Sequence, residues 1–310
     1  MDLQRFAFST NAYSRHSLKK ALKRIAKFGF RGVEILADKP HAWLDSFSPR
    51  EIARVRKQLE HLDLFVSNIN ANCTFGFWTD APPEPFFEPS LISRSRTLRE
   101  WRIAYTKKAL RLGKELGAHN VSITSGKALN GVPPEKAQKL LEEGLSRLLE
   151  EAEHLQQRLS IEYEPALFIE TTAELKALLT RLNSPYLGAN LDLGHVDVMH
   201  EDPCHAIRAL KGKIFNIHLE DIRAHKHYHR IPGDGDIDFR AIFKELDGTG
   251  YTGPLTWELY TYDEAPDEAC ERTFKYLSTL LLEHKLVNRR PKKRPKRQPK
   301  HARRSKPMPR

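Results

Sequence analysis

Apolar residues follow two alternating spacings along the chain. Short runs rich in β-branched and aromatic residues are each followed by a stretch in which apolar residues recur every three or four positions. The first of these stretches begins at Ser17 and has the spacing of an amphipathic helix. The pattern therefore predicts repeated strand–helix units. The eight predicted strands cover residues 6–11, 32–37, 64–70, 119–124, 159–164, 187–192, 214–219 and 255–259.

Helix signals follow the predicted strands. Ser48 and Glu51 form a capping box with proline at the first helical position, and longer helices are predicted over residues 134–157 and 267–285. Strict alternation of strands and helices favours a parallel sheet, and eight units are the number that closes a barrel of about 250 residues. We therefore predict an α/β fold, a (β/α)8 TIM barrel over residues 1–287. An open doubly wound sheet is the alternative, although no G-x-G-x-x-G motif follows the first strand.

The charge of the chain is unevenly distributed. Its formal net charge is +11, but twelve of the 51 lysine and arginine residues lie within 289–310, which contains five prolines and no acidic residue. The rest of the chain carries 39 basic and 40 acidic residues and is close to neutral. A segment so basic and so poor in apolar residues cannot bury enough surface to fold. We predict a disordered basic tail over residues 288–310, either a solubilising extension or a weak binder of polyanions such as nucleic acid or an anionic membrane surface.

A long segment after the third predicted strand, residues 75–87, contains five large aromatic residues. It would lie at the C-terminal end of the barrel strands, where the active sites of this fold are found. The aromatic residues suit a lid over a substrate, a contact within a homo-oligomer, or packing against the core. Trp78 is the candidate substrate contact in this segment.

Three widely spaced cysteines form no C-x-x-C pair, and no apolar stretch of about 18 residues occurs in the sequence. These features predict no disulfide framework, no cysteine-based zinc site, no signal peptide and no transmembrane segment. We therefore expect a cytoplasmic protein.

Ionisable residues recur at or near the C-terminal ends of the last four predicted strands. Because these ends converge in a closed barrel, the side chains would share one confined site. Each has an ordinary structural explanation on its own, such as a helix cap for Asp192 or a core position for His218. Carboxylates share such a site only with protons or a cation, and carboxylates with an imidazole suit Mn²⁺ or Mg²⁺ better than a sulfur-bound metal. The residues are Glu162, Glu164, Asp192, His195, His218, Asp221 and Glu258.

Five short segments of the second half resemble motifs of the xylose-isomerase-like superfamily, which includes sugar isomerases and epimerases and endonucleases of the endonuclease IV type. I-E-Y-E-P around Glu162 is similar to L-E-x-E-P, and N-L-D-L-G-H around Asp192 is similar to D-x-G-H. I-H-L-E-D around His218 resembles H-x-K-D, P-G-D-G-D-I-D-F from Pro232 resembles P-G-x-G-x-x-D-F, and W-E-L around Glu258 resembles V-E-L. The first half matches mainly as a barrel pattern, and its most similar fragment is the G-V-E that ends at residue 34.

The resemblance implies roles for individual residues. Glu162, Asp192, His218 and Glu258 would hold one divalent metal, with Mn²⁺ as the expected ion and Mg²⁺, Co²⁺ or Zn²⁺ as alternatives. Glu162 and Glu258 would also form the catalytic acid–base pair, on opposite faces of a carbon next to a carbonyl, while the metal stabilises an enediolate. Glu164, expected on the same strand face as Glu162, would support it or exchange roles with it. With Trp78, the predicted substrate-binding residues are Glu164, His195, Arg223 and His229.

The sequence departs from the endonuclease branch, which uses three zinc ions and additional histidines. The third predicted strand ends with Asn70 and Asn72 instead, and His41 after the second strand is a single histidine. His227 and His229 are candidates for a second metal site, although a solvated loop with His229 at the substrate is favoured. We predict a metal-dependent isomerase or epimerase of a small sugar, polyol or sugar-like ketone. The alternatives are a metal-dependent endonuclease of the endonuclease IV type and a metabolite-binding barrel without catalysis.

Overall fold

A computed structural model describes residues 1–78, 87–128 and 131–289, with side chains up to residue 284. The strands are β1 Phe6–Ser9, β2 Gly32–Leu36, β3 Phe65–Asn70, β4 Val121–Thr124, β5 Leu159–Glu162, β6 Leu187–Asp192, β7 Ile214–Leu219, β8 Asp221–Arg223, β9 Lys226–Arg230 and β10 Leu255–Trp257. Eight parallel strands close into a barrel in the spatial order β1-β10-β7-β6-β5-β4-β3-β2. The remaining two, β8 and β9, form an antiparallel hairpin after β7.

Helices on the outside of the barrel connect successive strands. They are α1 Leu18–Phe28, α2 Pro49–Leu62, α3 Arg96–Leu116, α4 Pro134–Leu155, α5 Thr172–Leu182, α6 Leu193–Val198, α7 Pro203–Ala209, α8 Phe239–Thr249 and α9 Pro266–Arg289. Every barrel strand is followed by at least one helix. The predicted (β/α)8 TIM barrel is therefore confirmed, and the doubly wound alternative is wrong.

Several strands are shorter than the runs that predict them. The first ends at Ser9, because Ser9 Oγ accepts a hydrogen bond from the Asn11 amide and starts a 3-10 helix, Thr10–Tyr13. The fifth ends at Glu162, so the prediction that Glu164 shares a strand face with Glu162 is wrong. Glu164 lies in the loop, where the alternation of a strand no longer sets the direction of its side chain.

Helix α2 begins as the sequence predicts. Ser48 Oγ accepts a hydrogen bond from the Glu51 amide (3.3 Å), and Glu51 Oε2 accepts one from the Ser48 amide (2.7 Å). Proline occupies the first helical position. The capping box satisfies two backbone amides that the first helical turn leaves without partners.

The two sides of the barrel wall differ in polarity. Outward-facing residues are apolar and pack against the helices, as Trp257 does against Phe239 of α8 with ring centroids 5.2 Å apart. Inward-facing residues of the same strands are largely polar, although they are fully buried. This arrangement places the apolar core between strands and helices, and a polar layer inside the barrel.

The polar layer is held together by hydrogen bonds across the barrel. Asn68 donates to Ser122 Oγ (2.8 Å), and Asn216 donates to Asn190 Oδ1 (2.7 Å). Thr256 Oγ1 donates to Asn216 Oδ1 (3.1 Å). Buried polar groups are tolerated when their hydrogen bonds are satisfied in this way. The layer forms the floor beneath the C-terminal end of the strands.

Two predicted features lie wholly or partly outside the described residues. Helix α9 continues to Arg289, past the predicted barrel boundary at residue 287, and the rest of the predicted tail, residues 290–310, is outside. Residues 79–86 of the aromatic segment are outside as well. Within the described parts of the chain, no helix combines the length and the apolar character needed to cross a membrane.

Candidate metal centre

Four predicted site residues meet at the C-terminal end of the barrel. Glu162 ends β5, Asp192 ends β6, His218 lies near the end of β7, and Glu258 follows β10. All four side chains are buried, and one ligand atom from each lies within 4.8 Å of those of the others. The structure thus brings together all four residues that the sequence predicts as metal ligands. We refer to them as the four-ligand cluster.

His218 is oriented by Glu34 of β2. Its Nε2 donates to Glu34 Oε2 (2.6 Å), whereas its Nδ1 lies 3.2 Å from Glu162 Oε1 and 3.5 Å from Glu258 Oε2. Burial works to lower the pKa of His218, but the carboxylates of Glu162, Glu34 and Glu258 outweigh it and raise that pKa well above its usual value. A carboxylate on one imidazole nitrogen is the common way to direct the other nitrogen at a metal. Glu34 therefore directs Nδ1 into the cluster.

Glu162 uses one carboxylate oxygen for hydrogen bonds and keeps the other toward the cluster. Oε2 accepts from the side-chain amide of Asn72 (2.8 Å) and from that of Asn190. Oε1 faces Nδ1 of His218 at 3.2 Å and Nδ1 of His195 at 3.9 Å. Neutral amides fix the carboxylate without compensating its charge, so Oε1 is available to a cation.

Glu258 is held in the same manner. Its Oε1 accepts from the side-chain amides of Asn11 (2.8 Å) and Asn70 (2.9 Å), and its Oε2 faces His218. Burial raises the pKa of Glu258 well above its usual range, and the nearby Glu162 carboxylate adds to the rise. The two glutamates thus have matching arrangements, with one oxygen anchored by asparagines and the other directed inward.

Asp192 completes the cluster. Its Oδ1 accepts from the His195 amide (2.7 Å) and caps α6. Burial opposes its ionisation, yet His195, a hydrogen bond from the Glu220 carboxyl group, and the histidines His229 and His218 hold the pKa of Asp192 below its usual range. In the described chain, the ion-pair partners of the three carboxylates are histidines, never lysine or arginine. Three carboxylates and one imidazole with inward-directed lone pairs fit a divalent cation.

His195 and His229 border the cluster with defined ring orientations. His195 Nδ1 donates to the Tyr163 carbonyl (3.1 Å), and His229 Nδ1 donates to the Glu258 carbonyl (2.8 Å). A carbonyl can only accept, so in a neutral ring the lone pair is on Nε2. Burial lowers the pKa of His229 to about 3, which keeps its ring neutral at neutral pH. Both predicted substrate-binding histidines therefore lie beside the metal ligands.

His227 of β9 forms a second group with these two histidines, the three-histidine cluster. One ring nitrogen from each of His195, His227 and His229 lies within 4.8 Å of the others, and the rings of His195 and His227 are 4.8 Å apart. His195 and His229 are buried, whereas His227 is exposed. For this hairpin, a second metal site at His227 and His229 remains a prediction. A solvated loop in which His229 contacts the substrate remains a prediction as well.

The other predicted substrate-binding residues are less closely tied to the cluster. Glu164 is partly exposed, and burial of its carboxyl, with the neighbouring Glu162 charge, raises its pKa well above the usual range. Arg223 is exposed on β8, and no hydrogen bond or ion pair joins it to the four-ligand cluster in the described chain. Trp78 donates from Nε1 to the Glu88 carbonyl (2.9 Å). Substrate contacts by these residues stay predictions.

Asp221, which the sequence pattern also singles out, anchors a loop. Its carboxylate accepts from the backbone amides of Gly233 (2.8 Å), Gly235 (2.9 Å) and Ile237 (3.1 Å). A Cβ on Gly235 would lie 2.3 Å from Asp221 Oδ1, so only glycine allows this close approach. The P-G-x-G-x-x-D-F segment is thus explained by the geometry of the loop.

Several residues of the site have no role predicted from the sequence, including Glu34, Asn190 and Glu220. Polar residues at every second position of β6 and β7 are the signal that was available, because alternate residues of a barrel strand point inward. Asn190 therefore lies on the same face as Asp192. Glu220 stands where the H-x-K-D pattern has lysine, and its carboxylate lies within 4.8 Å of the ligand atoms of Asp192 and His229.

Comparisons with known proteins agree with this architecture. The family model described as xylose isomerase-like TIM barrel matches residues 22–280. The chain is 25% identical to inosose dehydratase of Clostridium perfringens over 265 residues, covering 78% of this chain and 82% of that protein. It is 24% identical to fructoselysine 3-epimerase of Escherichia coli over 256 residues, covering 81% and 89% of the two chains.

A solved structure of a D-tagatose 3-epimerase-like protein superposes with a TM-score of 0.77 at 19% identity, covering 92% of this chain and 99% of that one. At this identity the superposition supports the fold alone. The strands form a closed barrel, and the family model matches residues 22–280 of the 310. The chain therefore belongs to the xylose isomerase-like TIM barrel family.

Proposed function

We propose that the protein is a divalent-metal-dependent isomerase or epimerase of a sugar or a sugar-like ketone. The observation that carries this proposal is the matched pair Glu162 and Glu258. Each has one oxygen anchored by asparagine amides and one directed at a common point next to His218. Two carboxylates held this way suit proton transfer to and from one substrate carbon.

The four-ligand cluster would hold the metal, for which Mn²⁺ is the expected ion and Mg²⁺, Co²⁺ or Zn²⁺ are alternatives. When bound, a divalent ion there supplies stabilisation of negative charge on the substrate oxygens. Three carboxylates with one imidazole support the choice of a hard or borderline ion over one that prefers sulfur. The Nδ1 lone pair of His218 is directed at the ion because its Nε2 proton is held by Glu34.

The proton transfers belong to Glu162 and Glu258. One carboxylate removes the proton from the carbon next to the carbonyl. The C–H electron pair forms a carbon–carbon double bond, and the π pair of the carbonyl moves onto its oxygen to give an enediolate. The other carboxyl group then returns a proton to the same carbon from the opposite face, which gives the epimer. For the isomer, the proton goes to the former carbonyl carbon, and the hydroxyl proton of the first carbon passes to the former carbonyl oxygen. His195 would bind a substrate oxygen beside the cluster through its free Nε2.

Substrate class is supported by the similar proteins. Fructoselysine 3-epimerase and inosose dehydratase each match about four fifths of this chain, and the epimerase name agrees with the proton-transfer chemistry proposed here. Trp78, Glu164, Arg223 and His229 are the further residues proposed to contact the substrate. The near-neutral barrel gives no support to an endonuclease, which needs a basic surface for the phosphate backbone.

Dehydration is the second candidate reaction, and the similarity to inosose dehydratase favours it. Elimination of water from a hydroxy ketone begins with the same removal of a proton next to the carbonyl. It differs in the second step, because the electron pair of the enediolate expels a neighbouring hydroxyl group, which leaves with a proton as water. The same pair of glutamates would serve either reaction.

A product screen tests the proposal. The protein is incubated with Mn²⁺ and a panel of ketoses, aldoses and cyclic polyol ketones. The products are separated, and their masses are measured by mass spectrometry. A product with the mass of its substrate supports isomerisation or epimerisation, whereas a product lighter by one water supports dehydration. Cleavage of an abasic DNA duplex with no change in any member of the panel would contradict the proposal.

A further inference from the structure

A short segment at the end of β3, residues 70–72, holds both of the glutamates proposed to transfer protons. The side-chain amide of Asn70 donates to Glu258 Oε1 (2.9 Å), and that of Asn72 donates to Glu162 Oε2 (2.8 Å). These carboxylates come from the ends of β10 and β5, which lie three places apart in the barrel. We refer to residues 70–72 as the asparagine segment. The positions of both carboxylates depend on where this segment lies.

Arg102 of α3 holds the backbone of the asparagine segment. Its Nη2 donates to the Ala71 carbonyl and to the Asn72 carbonyl (3.4 Å). Neither carbonyl has another hydrogen-bond donor among the described residues. The Ala71 amide donates to the Ser122 carbonyl of β4 (3.0 Å). The segment is therefore fixed by β4 through its amide and by Arg102 through its carbonyls.

The guanidinium of Arg102 is buried without an ion pair to any described residue. Its side chain is 2% exposed, and its Nη1 has no hydrogen-bond partner in the described chain. The buried carboxylates of Asp38 and Glu88 lie nearby, but their oxygens accept from backbone amides and serine hydroxyls. Burial lowers the pKa of Arg102 below its ordinary value. Because a buried charge of this kind is costly, packing alone does not explain an arginine here.

We propose that Arg102 is a positioning residue for proton transfer by Glu162 and Glu258, an inference that rests on the proposed function. By holding the carbonyls of the asparagine segment, its guanidinium fixes the side-chain amides that anchor the two carboxylates. No hydrogen bond joins Arg102 to the four-ligand cluster in the described chain, so it acts through Asn70 and Asn72. A catalytic group misplaced by about 1 Å loses about 100-fold in rate, which sets the scale of the effect.

Arg102→Met tests the proposal in the full-length protein, since methionine is a long side chain with neither a charge nor a hydrogen-bond donor. With the substrate found by the product screen, we expect kcat to fall by at least about 30-fold and KM to stay within about threefold of the parent value, because the carboxylates are misaligned while substrate binding is kept. In calorimetry with Mn²⁺ alone, we expect the four-ligand cluster to bind the ion about 5–10-fold more weakly, because Arg102 lies one contact further from the ion than a residue that orients a ligand directly.

Two further variants separate positioning from a general effect of changing α3. Arg99→Met removes an arginine of the same helix whose Nη1 donates to the Ser93 (2.7 Å) and Arg94 (3.0 Å) carbonyls, outside the asparagine segment. Its kcat and Mn²⁺ affinity should stay within about twofold of the parent values. Arg102→Lys keeps the charge and a donor but lacks the planar fork of the guanidinium, so we expect its kcat to lie about 3–10-fold below the parent value, between the parent and Arg102→Met.

The proposal is overturned if Arg102→Met keeps both kcat and Mn²⁺ affinity within about twofold of the parent values. It is equally overturned if Arg99→Met or Arg102→Lys loses as much as Arg102→Met. Should Arg102→Met not fold, Arg102→Lys is compared with Arg99→Met, and equal kcat values in these two variants contradict the role. If the parent protein turns over no member of the substrate panel, the proposed function fails, and the Mn²⁺ affinities alone decide whether Arg102 positions the two glutamates.

Discussion

Single residues around His218 decide how well the site can hold a metal. Glu34 binds the Nε2 proton of His218, and Ser9 Oγ in turn donates to Glu34 Oε1 (2.6 Å). Orienting carboxylates of this kind raise the basicity of the ligating nitrogen and fix its direction. Hydrogen bonds thus connect Ser9 of β1, through Glu34 of β2, to His218 of the four-ligand cluster.

Glu34→Gln tests this chain of contacts. We expect the variant to fold and to bind Mn²⁺ at the four-ligand cluster about 10–100-fold more weakly, measured by calorimetry, because His218 loses its charged partner. Ser9→Ala is the matched control, since it removes one hydrogen bond to Glu34 and no charge. Its affinity should stay within about threefold of the parent value, and an unchanged affinity in Glu34→Gln would refute the role of the carboxylate.

His41 provides a pH-dependent test away from the cluster. Its Nε2 donates to the carbonyls of Tyr13 (3.2 Å) and His16 (3.0 Å), and burial lowers its pKa from 6.5 to about 4. Below about pH 6.5 the unfolded chain takes up a proton on this histidine, whereas His41 in the folded protein stays neutral until about pH 4. The stability that neutral His41 provides is therefore fully present above about pH 6.5 and is lost as the pH falls toward 4.

Between about pH 7 and about pH 5, we expect the stability advantage of the parent protein over His41→Gln to shrink by about 2 kcal/mol. Urea unfolding at several pH values measures this difference. Ala53→Ser, at an exposed position of α2, is the control that changes no titratable group, so its difference from the parent should stay nearly constant with pH. If the stability advantage of the parent protein over His41→Gln does not change with pH, the lowered pKa of His41 is contradicted.

The four-ligand cluster was predictable from sequence, whereas the residues that hold it were not. Its members recur at strand ends that converge in a barrel, and they match motifs with fixed spacing. Asn11 carries no such signal, because an asparagine near a strand end is equally suited to a turn or a cap. The alternation along β6 places Asn190 on the inward face but assigns it no partner. Only the distances to Glu258 and Glu162 reveal that they anchor those carboxylates.

At the scale of elements, the capping box of α2 and the bare start of α3 offer a matched comparison. Ser48 caps α2 through its side chain, whereas Ser95 occupies the equivalent position of α3 without a capping hydrogen bond from its side chain. Ser48→Ala should lower the free energy of unfolding by about 1 kcal/mol, and Ser95→Ala should change it by less than about 0.5 kcal/mol, both measured by urea unfolding. Equal losses in the two variants would show that the capping box adds no stability.

Element types were predictable, whereas several ends were not. Strands β6 and β7 have the predicted bounds, since their apolar and polar residues alternate up to Asp192 and Leu219. The run 159–164 continues past the end of β5, because Glu164 and its neighbours are as compatible with a strand as with the loop they form. A hydrogen bond from the Asn11 amide to the Ser9 side chain, which no periodicity reveals, ended the first strand early.

At the scale of the whole molecule, the closure of the barrel followed from counting eight strand–helix units, because a parallel sheet of that number has a strong preference for a closed form. The hairpin of β8 and β9 was not predicted. Its residues 225–229 are dominated by histidines and charges and lack the apolar alternation of a buried strand. This hairpin brings His229 against Glu258, so the omission affected the site itself.

The basic segment beyond α9 leads to a prediction for the whole chain. Removing residues 290–310 takes away eleven lysines and arginines and leaves the barrel and α9 intact. We expect turnover to stay within about twofold of the parent value, and elution from heparin to shift to lower salt, because contacts with polyanions depend on salt. Loss of turnover in the shortened protein would contradict the separation of tail and barrel.

Hydrogen exchange at the substrate carbon tests whether Glu162 and Glu258 transfer the proton. The protein is incubated in D₂O with Mn²⁺ and the substrate found by the product screen, and deuterium at the carbon next to the carbonyl is followed by NMR. We expect deuterium incorporation that stops on chelation of the metal and falls by at least about 100-fold in Glu162→Gln and in Glu258→Gln. Incorporation that persists in both variants, or that ignores the chelator, would contradict the assignment of the four-ligand cluster as the catalytic site.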